Sequence, residues 1–163
     1  QFALASTWLK QNQLEKARTG FQNLVEKFPK NSENYYLALS YKALGDLALK
    51  EGRSKKATEY FQLALSSGKN LLSIDEELGI KIENSIALQK NGEEDLAMQQ
   101  LSEVVNYNAV SHLRLKAMFM RAELYALQNK RIQARKQLES LALKSGPWAE
   151  KAKEKLEQDY GFN

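Results

Sequence analysis

The chain has no cysteine, one histidine and two prolines. Without cysteine there are no disulfides and no thiolate chemistry, and the redox compartment is left open. One histidine and no cysteine exclude nitrogen–sulfur metal sites and a Ser/His/Asp arrangement for which a partner carboxylate can be argued. No apolar run approaches the roughly 20 residues of a membrane helix, and no signal peptide is visible. There is no G-x-x-x-x-G-K-[ST] loop and no G-x-G-x-x-G turn, so nucleotide phosphates have no cradle. Residue 1 is glutamine, and the chain opens inside the amphipathic run FALASTWL, so it reads as a fragment of a longer protein. The compartment stays unassigned, cytoplasmic or bacterial periplasmic and envelope, because targeting segments upstream would be missing. β-branched residues are also scarce.

What is present favours helices throughout. Ala, Leu, Lys, Glu and Gln dominate, hydrophobic residues make up 43% and charged residues 27%. Formal net charge is +4, with the lysines spread along 163 residues and not blocked together.

The informative signal is repetition. Ala17, Ala57 and Ala97 lie 40 residues apart, and each opens a short second helix. Phe21, Phe61 and Leu101 follow by four, and Leu24, Ala64 and Val104 by seven. Twelve residues before each alanine stand Ala5, Gly45 and Ser85, all small, and five before stand Asn12, Gly52 and Gly92, all turn formers. A fourth copy, shifted by 37, carries Ala122, Asn129, Ala134, Leu138 and Leu141 in the same columns.

These columns resemble the tetratricopeptide repeat (TPR) signature W-x2-L-G-x2-Y, A-x3-F, P. Residues 41–48, YKALGDLA, supply the aromatic Tyr41 and Leu44-Gly45, with Ala48 in place of the usual tyrosine. Ala57 to Phe61 supplies A-x3-F, and Ala17 to Phe21 does so again, followed by Pro29. The steps of 40, 40 and 37 exceed the family's 34, so the first helix of each pair, or the loop before it, is expected to be longer. FQNLVEKFPKNSENYYLALSYKALGDLALKEG also resembles TPR domains of bacterial envelope proteins.

The expected fold is an all-α, TPR-like solenoid of about four helical hairpins plus a C-terminal capping helix, in one domain over 1–163. The repeats fall at about 1–31, 32–70, 71–110 and 111–146. The helices are expected at 1–11 and 14–28, 32–51 and 54–67, 71–91 and 93–107, 111–128 and 131–144, with the cap at 147–159. Glycine inside a helix costs about 1 kcal/mol relative to alanine. Gly45 is therefore expected to face Ala57 so that two backbones approach, with Phe61 and Tyr41 on either side. Gly52 is expected to end its helix with φ > 0, and Ser54 to be the next N-cap. Pro29 to Ser32 reads as a stop and a cap, Ser73 and Glu76 as a capping box, and Gly146-Pro147 as a helix start. Trp148, Ala152 and Leu156 share one face of the last helix, which would seal the final pair.

The resemblance implies binding, not catalysis: no catalytic, cofactor-binding or metal-ligating residue is expected, and no cofactor. His112 reads as a solvated or capping residue, and Glu76-Glu77 as helix-dipole partners. Met98, Met118 and Met120 read as packing. By the resemblance, the first helix of each pair lines a concave groove. Its residues would be Phe2, Ser6 and Leu9; Leu39, Lys42, Asp46 and Leu49; Ile82, Ile86 and Gln89; and Lys116, Phe119, Glu123 and Ala126. Chaperone-binding members grip a peptide carboxylate with Lys and Asn. Lys42 matches, but Asp46 replaces the Asn, so chaperone tails are not the expected ligand. Lys10, Lys50 and Lys90 recur at steps of 40. They read either as a ladder for an acidic segment or as cations favoured by helix C-termini. The fourth copy carries Leu127 there.

The expected partner is a protein or peptide, including one with acidic segments. The alternative is an assembly module whose end faces pack on other domains or self-associate. Nucleic acid is disfavoured, because no basic face carries interleaved aromatics.

Overall fold

The computed structural model describes residues 1–29, 32–108 and 111–161. Among these, every regular element is an α-helix and none is long and apolar enough to cross a membrane. The helices are α1 (Phe2–Lys10), α2 (Leu14–Val25), α3 (Tyr35–Lys50), α4 (Ser54–Ser67), α5 (Ile74–Lys90), α6 (Glu94–Asn106), α7 (His112–Leu127), α8 (Arg131–Ala142) and α9 (Pro147–Tyr160). They form two compact units, Gln1–Glu93 and Glu94–Asn163. Unit 1 packs α1 on α2, α2 on α3, α3 on α4 and α4 on α5; unit 2 packs α6 on α7, α7 on α8 and α8 on α9.

At each turn expected from the repeat the first helix ends on the same backbone motif. Asn12, Gly52, Gly92 and Asn129 have φ of 58°, 74°, 79° and 58°. The next residue's N–H reaches back five positions: Gln13 to Trp8 O at 2.9 Å, Arg53 to Ala48 O at 2.9 Å, Glu93 to Leu88 O at 2.9 Å and Lys130 to Tyr125 O at 2.8 Å. The left-handed residue itself donates three positions back, as Gly52 does to Leu49 O at 3.1 Å. This is the Schellman end, which satisfies carbonyls that a stopping helix would orphan. It requires a residue that tolerates positive φ, hence the Asn/Gly column.

That motif also displaces the expected cap. The residue after Gly52 is already the N-cap of α4, so Arg53 holds that place, with no side-chain capping hydrogen bond, and Ser54 is the first helical residue. The cap of α3 likewise comes from Asn34, whose side chain accepts from Leu37 N at 3.1 Å, and not from Ser32. Lys30 and Asn31 lie outside the described residues. The Ser73–Glu76 capping box forms as read, and Pro147 sits at the start of α9 behind Gly146.

Gly45 is occupied by a ring. A Cβ built there would lie 2.6 Å from Phe61 Cε1 and 2.8 Å from Cδ1. The missing side chain therefore seats the fully buried Phe61 of α4, one of the two rings expected beside Gly45. Burying a phenylalanine contributes roughly 1.5–3 kcal/mol, which exceeds the helix cost of the glycine. The close backbone approach occurs one hairpin earlier: a Cβ on Gly20 would lie 2.9 Å from the Ala5 Cβ.

The core of unit 1 joins Ala5, Ala17, Phe21 and Leu44 to Ala48, Ala57, Phe61, Ala64 and Ile80 through the half-buried rings of Tyr41 and Tyr60. Unit 2 gathers Ala122, Leu138, Leu141, Ala152 and Leu156, with Met118 and Trp148 packed on them. Met98 and Met120 are also half-buried.

Candidate functional site: the open side of α1, α3 and α5

The first helices of the pairs in unit 1 border a pocket of about 430 Å³ at their C-terminal ends. Its apolar part comes from Leu9 of α1 and Leu47 and Leu49 of α3; its polar part from Lys42, Asp46 and Lys50 of α3 and Glu83 and Lys90 of α5. Periodicity puts these side chains together. Lys42, Asp46 and Leu49 are spaced by four and three along α3, one face of a 3.6-residue helix. Lys42 Nζ donates to Asp46 Oδ2 at 2.6 Å, an i,i+4 pair. Because the pair is partly exposed, it contributes a few tenths of a kcal/mol.

Lys10, Lys50 and Lys90 are the last residues of α1, α3 and α5. Each therefore meets the negative end of its helix dipole. Two of them, Lys50 and Lys90, also face one shared pocket. They make no hydrogen bond or ion pair among the described residues. Lys10 is exposed but is not part of the pocket wall.

Other residues read as groove-facing are placed differently. Ile82 is 1% exposed and belongs to the core, so it has no surface to offer a partner. The cause is that α5 is apolar on more than one face, with Leu78, Ile80 and Ile82 all buried. Leu39 and Ile86 are half-buried and Gln89 is exposed. In unit 2, Phe119 lies 5.5 Å from the Trp148 ring and packs on the unit's core. Glu123 Oε1 faces Lys155 Nζ at 3.7 Å. Both are engaged by α9, so Phe119 is a packing residue and not an open wall of a groove. Lys116 is half-buried with a polar partner of its own, and Ala126 is half-buried.

Sequence reasoning missed an aromatic row at the opposite end of α1 and α3. Phe21, Phe2, Tyr36 and Tyr35 follow one another at ring separations of 5.8, 5.4 and 5.5 Å. Phe2, Leu24, Phe28 and Tyr36 line a pocket of about 510 Å³ there. The signal was the adjacent Tyr35-Tyr36, both exposed although aromatic. Tyr35 Oη donates to Glu76 Oε1 at 2.6 Å, tying the start of α3 to the start of α5. That hydrogen bond is the main reason the Tyr35 phenol is raised and the Glu76 carboxyl lowered from their ordinary values.

Unit 2 contains a cation held by neutral groups. Arg121 Nε donates to Gln137 Oε1 at 2.8 Å, a second guanidinium nitrogen donates to the same oxygen, and Nη1 reaches Ser102 Oγ at 3.3 Å. Burial pulls its pKa below the ordinary arginine value.

No protein-family model matches the sequence, and no curated protein matches it. Solved structures do share its architecture. A putative kinesin light chain from Podosopora anserina, built of nearly identical TPR-like repeats, is 19% identical with a TM-score of 0.74, covering 98% of this chain and 83% of that one. MamA is 16% identical, TM-score 0.67, covering 99% and 79%. BtubC (BKLC) from P. vanneervenii is 19% identical, TM-score 0.68, covering 85% and 58%. The chain therefore has an all-α, TPR-like solenoid fold. These likenesses do not single out the bacterial-envelope type.

Proposed function

We propose that the chain is a non-catalytic protein-interaction scaffold, with a peptide or protein segment bound on the α1–α3–α5 side of unit 1. Repeat folds of this kind commonly expose extended surfaces for partners. One observation carries the reading: the pocket pairs apolar Leu9 and Leu49 with Lys50 and Lys90, whose side chains form no ion pair among the described residues although Glu83 lines the same pocket. Aliphatic floor and free cations suit a segment that mixes aliphatic and acidic side chains. The repeat register supports Lys10, Leu39, Ile86 and Gln89 as further contacts in this reading.

A photo-crosslinking residue at Gln89 in the full chain is expected to trap a partner from the cognate extract, while the same residue at Leu143, 87% exposed in unit 2, does not. Equal yields at both positions would remove the groove reading. An assembly role is favoured by a different feature. The outer face of α1 and α2 holds a pocket of about 460 Å³ lined by Leu4, Trp8 and Gly20, and Leu4 is 52% exposed. Crosslinking at Leu4 and not at Gln89 would make that face the working surface.

A further inference from the structure

The cations of unit 1 continue past the groove. Lys90 lines the α1–α3–α5 pocket and also a second pocket of about 440 Å³. Arg53, Lys55 and Lys56 at the start of α4 wall that second pocket. Two of these already have carboxylate partners: Arg53 pairs with Glu51, and Lys56 with Glu59 at 2.7 Å. Lys55 and Lys90, like Lys50, make no ion pair or hydrogen bond among the described residues. Glu59 and Glu83 also line these pockets, and the Lys56 hydrogen bond, helped by the Lys55 charge, lowers the Glu59 carboxyl. Lysine and arginine still outnumber carboxylates in both linings, so an added anion is attracted.

We infer that the two pockets form one tract, turning at Lys90, for an acidic peptide segment. This rests on the reading that the α1–α3–α5 side binds a protein segment. An aliphatic side chain sits over Leu9 and Leu49. Acids on one side of it meet Lys50 and Lys90, and further acids meet Lys55 as the segment passes the α3–α4 turn. The cations are distributed over two pockets and do not converge on one point. That distribution suits several single carboxylates better than one dense phosphate.

The test is fluorescence anisotropy on the full chain with three labelled dodecapeptides. The first has a central leucine flanked by three glutamates on each side, the second replaces all glutamates by serine, and the third adds one phosphoserine to the second. The glutamate peptide is expected to bind best and to weaken as salt rises. Lys55→Glu with Lys90→Gln is expected to weaken it about tenfold and flatten the salt dependence. Lys55→Glu lies in the first turn of α4, where an acid is favoured, so circular dichroism is expected to stay unchanged. Leu9→Ser is expected to weaken binding at every salt concentration. Three results would each overturn the tract: equal binding of the serine peptide, tighter binding of the phosphopeptide, or no effect of the double variant. None of them bears on crosslinking at Gln89, which tests the groove separately.

Discussion

Two triplets of helices, one in each unit, are built alike and finished differently. In unit 1, α5 packs on α4 and touches α3; in unit 2, α9 packs on α8 and touches α7. The repeat aligns Lys42 with Phe119 and Asp46 with Glu123, each 77 positions on. In unit 1 those two positions bond to each other along α3 and rim a pocket. In unit 2 they are taken by α9, through Phe119 on Trp148 and Glu123 beside Lys155. The same columns therefore rim a pocket in one unit and meet a further helix in the other, where Phe119 packs on Trp148 while Glu123 stays exposed. What decides is whether the neighbouring helix brings a large side chain into the space: α9 brings Trp148, while α5 brings Glu83 and Lys90.

The most disruptive way to break this contrast is to take the seal away. Trp148→Ala with Leu156→Ala removes the large apolar contacts of α9, and is expected to cost about 4 kcal/mol or more. Urea denaturation followed by circular dichroism reads the loss, and hydrogen exchange in α9 should rise toward free-chain rates. An α9 that stays protected in this variant would mean that Trp148 and Leu156 are not what seals unit 2.

A smaller effect is expected in unit 1 from Gly45→Leu. The new side chain meets the buried Phe61 ring, and overpacking of this kind costs about 1–3 kcal/mol. Gln62→Leu on the exposed side of α4 is the control, and the two variants melting together would dismiss the ring-seating account of Gly45.

The smallest effect concerns the tie between α3 and α5. Tyr35 holds the Glu76 carboxyl below its ordinary value, so folding favours the carboxylate. Its contribution is complete above the ordinary carboxylate pKa and is lost as pH falls through the depressed folded value. Tyr35→Phe is expected to lower the melting temperature slightly at pH 7, with the difference shrinking toward pH 3. A difference that persists at pH 3 would assign the loss to packing of the phenol.

Much of this fold was legible because it rests on local backbone rules. Asn12, Gly52, Gly92 and Asn129 announce positive φ by residue type, and Ser73 with Glu76 announces a cap by spacing. The Ser54 assignment failed because a Schellman end and the next helix share residues, leaving no separate place for a serine cap. Phe61 beside Gly45 was legible from the A-x3-F spacing, while how closely its ring sits on the glycine was not, since a small column says that space is needed and not how it is filled. At the candidate site, Lys42, Asp46, Leu49, Lys50 and Lys90 came together as the repeat register implied. Ile82 is buried in the core instead, and in unit 2 Phe119 packs on Trp148. Register gives a residue's face on an ideal helix, while its exposure depends on whatever packs beside that face.

The helix contacts within each unit carry one more consequence, for how the chain comes apart and re-forms. Every packing described joins helices one or two steps apart in sequence. Loop closure is then short at each stage, the condition under which small domains fold in microseconds to milliseconds. Among the described residues no strand is present and no extensive packing joins helices further apart. Opening within each unit should therefore proceed one hairpin at a time, with the tight Asn and Gly turns as the stopping points.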